Sequence, residues 1–161
     1  LSVQIDADWL HLDFPVERAE PVETPRALVD GLGVTPLWVG RSRLDFVAEL
    51  ASADVVRGLT PDLRVLAVLP GRGVIVTAPG GADNIDYVCR VFGPKVGIPE
   101  DPATGSAQCA LGPYWAAKLS KRELQVYQNS KRGGFLRVRE AGARVIISGQ
   151  AVTTSVGDLL R

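Results

Sequence analysis

Gly97-Ile98-Pro99-Glu100-Asp101-Pro102-Ala103-Thr104-Gly105-Ser106-Ala107 opens the stretch on which the fold turns. From Ala107 onward, Ala110, Leu111, Tyr114, Trp115 and Leu119 recur at three- and four-residue spacing, the pattern of one helix face. The longest helix is therefore expected to follow Pro102. Pro113 falls inside the pattern and removes one backbone donor, which predicts a kink or local loosening.

Outward from this helix, apolar residues alternate with period two. Ser2–Asp6, Trp9–Phe14, Leu44–Glu49, Val74–Thr77, Asp86–Val91, Leu124–Gln128, Leu136–Arg139, Val145–Ser148 and Val152–Ser155 read as strands. Glu140-Ala141-Gly142-Ala143 between two of them signals a hairpin with a longer loop, and Gly133-Gly134 marks another turn. Three short helices are expected: Pro25–Leu32, with Thr24 as cap and Gly33 after it, Ala53–Leu59, and Pro61–Leu69, capped by Thr60. Together these predict an α+β domain, a curved mixed β-sheet wrapped around one central apolar helix. No internal repeat and no low-complexity segment interrupts it.

The 161 residues suit one domain. Hydrophobic residues make up 46% and charged residues 22%, the balance of a globular core. Eighteen basic residues are matched by 18 acidic ones, without the basic excess of a nucleic-acid binder. No apolar run approaches the roughly 18–20 residues that cross a bilayer, and Leu1–Asp6 lacks the basic and apolar blocks of a signal peptide. Cys89 and Cys109, far apart and without His neighbours, argue against a zinc site; two reduced buried thiols in a cytoplasmic protein are expected, with a disulfide as the competing reading. The chain has no methionine, so it is expected to be a processed, excised or cut product.

The chemistry concentrates where the helix begins. Two prolines fix the backbone around Glu100 and Asp101, and only small residues follow. A helix start offers free N–H groups and a positive dipole end, which together suit a substrate carboxylate. Gly105 lets a ligand approach the backbone, and Ser106 adds a hydroxyl donor. Asp101 stands where a carboxylate takes or returns a proton. Simple capping of the helix is the competing reading of the same residues. Glu100 reads as solvated or salt-bridged.

Glu100-Asp101-Pro102-Ala103-Thr104-Gly105-Ser106-Ala107, followed by Ala110-Leu111 and Tyr114-Trp115, resembles the signature of the phenazine-biosynthesis PhzF-like family. Asp13-Phe14-Pro15, Leu59-Thr60-Pro61-Asp62, Gly73–Ala78, Arg90-Val91-Phe92, Gln128, Arg132-Gly133-Gly134 and Gly149-Gln150-Ala151-Val152 resemble further family landmarks, in order. The resemblance implies one lobe of a two-lobed, diaminopimelate-epimerase-like fold, with the active site between pseudo-symmetric halves. It implies an isomerase of small molecules that works by proton abstraction and redelivery without cofactor or metal. Asp101 matches the family's acid/base aspartate. Thr104, Gly105, Ser106 and Ala107 match the substrate pocket at the helix end, where Ser106 is also placed with the catalytic residues.

Two departures from the family pattern stand out. Many members carry His where this chain has Gln108, which is expected to point away from or beside the site. The family's amino-terminal half, with its glutamate base and Gly-His pair, is not matched. Residues 1–161 are read as the carboxyl-terminal lobe, the first of them belonging to the end of that other half or to the crossover. His11, the only histidine, is expected on the surface or packed in a strand. The partners implied are a small-molecule substrate, the amino-terminal lobe in cis or trans, and a second copy in a homodimer, with no nucleic acid and no membrane. An isomerase lobe that is inactive alone stands beside a non-catalytic small-molecule-binding or dimerising module.

Overall fold

The computed structural model describes residues 2–81 and 84–158. The chain order is β1 (Ser2–Asp6), β2 (Trp9–Pro15), β3 (Glu20–Pro21), α1 (Arg26–Leu32), β4 (Trp38–Arg41), β5 (Asp45–Glu49), α2 (Ala53–Gly58), α3 (Leu63–Leu66), β6 (Gly73–Pro79) and β7 (Tyr87–Phe92). A one-turn 3-10 helix at Pro94–Val96 and α4 (Gln108–Leu119) come next, and β8 (Glu123–Gln128), β9 (Gly134–Ala141) and β10 (Arg144–Gly149) close the order. One ten-stranded mixed sheet joins them in the order β1-β2-β10-β9-β8-β7-β6-β5-β4-β3. The β5–β6 and β7–β8 pairs are parallel and the others antiparallel. The α+β expectation with a mixed sheet holds.

The core lies on both faces of this sheet. Leu111 and Trp115 of α4 are fully buried in a cluster with Val47, Ile75, Cys89, Val126, Val138, Val145 and Ile147, drawn from β5 to β10. Their neighbours in sequence, such as Phe46, Ala48, Val74, Val76, Val88 and Phe92, point the other way into a second cluster under α1, α2 and α3. The five residues of β5 are therefore all buried. Each large apolar side chain so enclosed contributes about 1.5–3 kcal/mol. Gly112 lets α4 lie close on β9, because a Cβ there would stand 2.7 Å from a Val138 methyl.

Pro113 does not interrupt α4, which runs unbroken from Gln108 to Leu119. The carbonyl that Pro113 leaves without a helical donor is that of Cys109. It accepts instead from the Glu17 N–H at 3.0 Å, which ties the β2–β3 connection to the helix. The start of α4 is later than expected: Gly105–Ala107 form a turn before Gln108.

Other boundaries move for local reasons. Pro25, not Thr24, occupies the cap position of α1, and no side chain caps it. Asp62 rather than Thr60 caps α3, accepting from the N–H groups of Arg64 and Val65. The β9–β10 hairpin is tight, since β9 continues to Ala141 and pairs it with Arg144. Gly142, at φ 68°, supplies the left-handed turn residue. Residues 152–155 form no strand, and β3 and β4 were not anticipated. No helix among the described residues is long and apolar enough to cross a membrane.

Candidate active site

α4 begins uncapped. Ala107 occupies its cap position, and no side chain accepts a hydrogen bond there. The first bonds span three residues, from Gln108 N–H to Gly105 O (2.9 Å), Cys109 N–H to Ser106 O (3.2 Å) and Ala110 N–H to Ala107 O (3.2 Å). The N–H groups of Gly105, Ser106 and Ala107 are left without a partner among the described residues. No acidic side chain occupies the first turn to neutralise the dipole. Nothing lies within 4 Å of the place where a Gly105 side chain would stand.

Asp101 does not cap this helix. Its N–H donates to Val91 O at the end of β7 (2.9 Å), which brings it back alongside the sheet. Its carbonyl accepts from the Gln128 amide (2.6 Å), and its Oδ2 accepts from the Thr104 hydroxyl (2.6 Å). The other carboxylate oxygen has no partner among the described residues. Thr104 is buried, held through its N–H by Gln128 Oε1 (2.8 Å) and through its carbonyl by Gln108 Nε2 (3.2 Å). Gln108 thus lies directly against Thr104 at the site. It is fully buried beneath it, and its Oε1 accepts from the Tyr87 hydroxyl (2.6 Å). Burial pushes the Tyr87 phenol well above its ordinary value and keeps it a neutral donor.

A second group of side chains reaches the same place. The Arg72 guanidinium donates to both oxygens of Asp45 (Nε 3.0 Å, Nη2 2.5 Å) and to Ser106 Oγ (3.0 Å). Asp45 is buried, and its carboxylate holds Arg72 above the ordinary guanidinium value, with Glu17 and Asp101 adding to the effect. Asp45, Arg72, Asp101 and Thr104 line one cavity of about 40 Å³. The family landmarks began one residue later, at Gly73, and passed over Arg72. The available signal was the charged Asp45 at the start of a strand whose middle, Phe46–Ala48, is apolar.

The remaining expected residues fall away from this centre. Glu100 forms a two-point ion pair with Arg90 (2.7 and 3.0 Å), and Arg90 also donates to the carbonyls of Val56 and Leu59. His11 pairs with Ser148 across β2 and β10 (2.7 Å). Cys89 and Cys109 are free and buried. Among the described residues no group of three or more His, Cys, Asp or Glu is placed to hold a metal ion.

A sequence model of the family described as phenazine biosynthesis-like protein (PhzC-PhzF) matches residues 23–157. An uncharacterized isomerase of Halalkalibacterium halodurans is 45% identical over 161 residues, covering 99% of this chain and 61% of its own length. An uncharacterized isomerase of Pseudomonas aeruginosa is 42% identical over 159 residues, covering 99% of this chain and 60% of its own. The crystal structure of a phenazine biosynthesis PhzF-family protein of Enterococcus faecalis superposes with a TM-score of 0.89 at 38% identity, covering 95% of this chain and 58% of that one. This chain therefore spans about 60% of the length of the curated relatives it matches.

Proposed function

This chain belongs to the phenazine biosynthesis-like (PhzC-PhzF) family, and on that premise we propose that it is the carboxyl-terminal, substrate-holding lobe of an isomerase. The reaction is a proton transfer on a small carboxylate-bearing metabolite, without a cofactor. The observation that most supports it is the start of α4, where the partly exposed Gly105 and Ser106 amides have no partner among the described residues, beside a carboxylate with one oxygen likewise unpartnered.

In this reading the substrate carboxylate rests on the N–H groups of Gly105 and Ser106, which are partly exposed, and on the Ser106 hydroxyl, with Ala107 buried behind them. Asp101, fixed by Thr104, takes a proton from a substrate carbon. The bonding pair stays on the substrate as an enolate-like anion, which the helix end stabilises. The proton then returns at a second carbon, so nothing is gained or lost overall.

A second lobe, in cis or in trans, completes the cleft. The cavity beside Asp101, about 40 Å³, has room only for a water or two at roughly 30 Å³ each. A metabolite must lie above it, in need of a second wall that excludes water. Val3 and Ile5 of β1 are 59% and 76% exposed, an apolar surface suited to that lobe. Assembly as a homodimer belongs to the same proposal, and sedimentation tests it. A carboxylate-binding module without catalysis is the second reading. It is favoured because the other carboxylate lining the cavity, Asp45, has both its oxygens engaged by Arg72.

The test is deuterium incorporation from D2O into a panel of small unsaturated carboxylates, with the chain supplied alone and joined to an amino-terminal lobe. Incorporation only in the joined protein, lost in Asp101→Asn, is the expected result. Equal incorporation in Asp101→Asn removes the catalytic role. Binding without incorporation in either form favours the module.

A further inference from the structure

Ser106 is not left to orient itself. Its oxygen accepts from Arg72 Nη1 at 3.0 Å, and no protein group among the described residues accepts its hydroxyl proton. A hydroxyl whose lone pair is occupied by a cation is set up to donate rather than accept. Arg72 is in turn held by its two-point pair with buried Asp45.

The backbone prepares this arrangement. The parallel β5–β6 register sets Asp45 beside Gly73, so Arg72 arrives next to the carboxylate. The Arg72 N–H donates to Leu44 O (2.7 Å), and the Asp45 N–H donates to Ser42 Oγ (3.1 Å). Gly71 makes the approach with φ 105°, where an added Cβ would lie 2.5 Å from Leu44 O. Of the five guanidinium N–H groups, two have no partner, while the side chain is 30% exposed and lines the same cavity as Asp101.

We propose that Arg72, latched by Asp45, is a positioning residue that turns the Ser106 hydroxyl into a committed donor and so makes the site select carboxylates over their neutral analogues. This rests on the reading of the α4 start as a carboxylate site. An isolated serine donates or accepts as its surroundings dictate, and it tolerates an amide as readily as a carboxylate. One that accepts from arginine faces the ligand proton first, and a carboxylate oxygen answers it.

The experiment is a titration of the isotope-labelled 161-residue chain with benzoate and, separately, benzamide, following the amide resonances of Gly105, Ser106 and Ala107. The unaltered chain is expected to bind benzoate in preference to benzamide. Arg72→Gln is expected to weaken benzoate binding about tenfold, as loss of one charge-assisted hydrogen bond would, and to erase the preference. Arg72→Lys keeps the charge without the fork. It is expected to recover part of the loss, and it serves in place of Arg72→Gln should the latter not fold.

In a Ser106→Ala background the Arg72 substitutions should add at most about twofold, because the relay is already broken. A general loss of structure would not reproduce this dependence on Ser106. No response of the three amides to benzoate in the unaltered chain defeats the carboxylate-site reading itself. Normal binding by the Arg72 variants leaves that site standing and overturns the role of Arg72. Equal weakening with and without Ser106 overturns the relay.

Discussion

The two ends of α4 are built on opposite plans. At the carboxyl-terminal end the chain closes on itself through a backbone cap and a buried side-chain cluster. Ser120 turns the chain in the left-handed conformation and donates its N–H back to Ala116 and Ala117. Lys118 reaches both oxygens of Glu49 (2.6 and 2.5 Å), the Tyr114 hydroxyl donates to the same carboxylate, and Trp38 stacks on Tyr114 at 4.6 Å. At the amino-terminal end three amides, one carboxylate oxygen and one hydroxyl proton have no partner among the described residues. A Ser, Thr, Asp or Asn cap there would add about 1 kcal/mol. This asymmetry is what the proposed carboxylate site at the start of α4 requires.

That contrast breaks most visibly at Asp101. In the two-lobed protein, Asp101→Asn should lower turnover about 10²- to 10⁴-fold, the usual contribution of a positioned acid/base group. Its amide oxygen can still accept from Thr104, so the melting temperature should hardly move. A large fall in melting temperature with normal turnover per folded molecule would return Asp101 to a structural role.

Lys118→Met attacks the closed end instead. It leaves the Glu49 carboxylate, whose side chain is 4% exposed, with the Tyr114 hydroxyl as its remaining side-chain donor, and should cost about 2–3 kcal/mol of stability by urea unfolding, less than a fully buried pair because Lys118 is half-exposed. Benzoate binding should be unchanged. Weakened binding at unchanged stability would show that the two ends are not independent.

Between the ends, the buried thiols make stability fall at high pH. Burial pushes Cys89 up from 9.0 to about 12 and Cys109 to about 11. Above pH 9 the unfolded chain releases thiol protons that the folded chain still holds. Each thiol should therefore lower stability by about 1.4 kcal/mol per pH unit until its folded value is reached. Replacing Cys89 with Ala should flatten the slope of urea midpoints between about pH 9 and 12. An unaltered slope would mean that the thiol is already ionised in the folded protein.

How much of this was legible beforehand follows from what each signal depends on. β8, β9 and β10 alternate because one face is buried and the other is not, whereas β5, β6 and β7 are short apolar runs covered on both faces. Residues 152–155 alternate as well, yet a strand needs a hydrogen-bonding neighbour in addition to a pattern, and none lies beside them among the described residues. β3 has two residues, one of them Pro21, and β4 carries Gly40 in its middle, so neither leaves a periodic trace. At the site, the Asp101–Ala107 segment is contiguous and was readable. Asp45 and Arg72 are far apart in sequence and meet only through the parallel β5–β6 register. The role of Pro113 was hidden for a similar reason, since its effect appears at Glu17.

The smallest expected effects come from two glycines on the same helix-forming stretch. Gly112 and Gly105 look alike in sequence, but a methyl group meets different surroundings at each. At Gly112 it would stand 2.7 Å from Val138, so Gly112→Ala should lose more to overpacking than the roughly 1 kcal/mol it gains in helix propensity. The net cost should be about 1 kcal/mol, seen as a lower urea midpoint with benzoate affinity kept. At Gly105 it meets open space, and the backbone there is not in the left-handed region. Gly105→Ala should leave the urea midpoint in place, or raise it slightly through the unfolded state. It should weaken benzoate several-fold, because the methyl occupies the approach to the free amides. If instead Gly105→Ala lowers stability and spares binding, the space above Gly105 belongs to the folded chain rather than to a ligand, and the asymmetry of α4 loses its functional meaning.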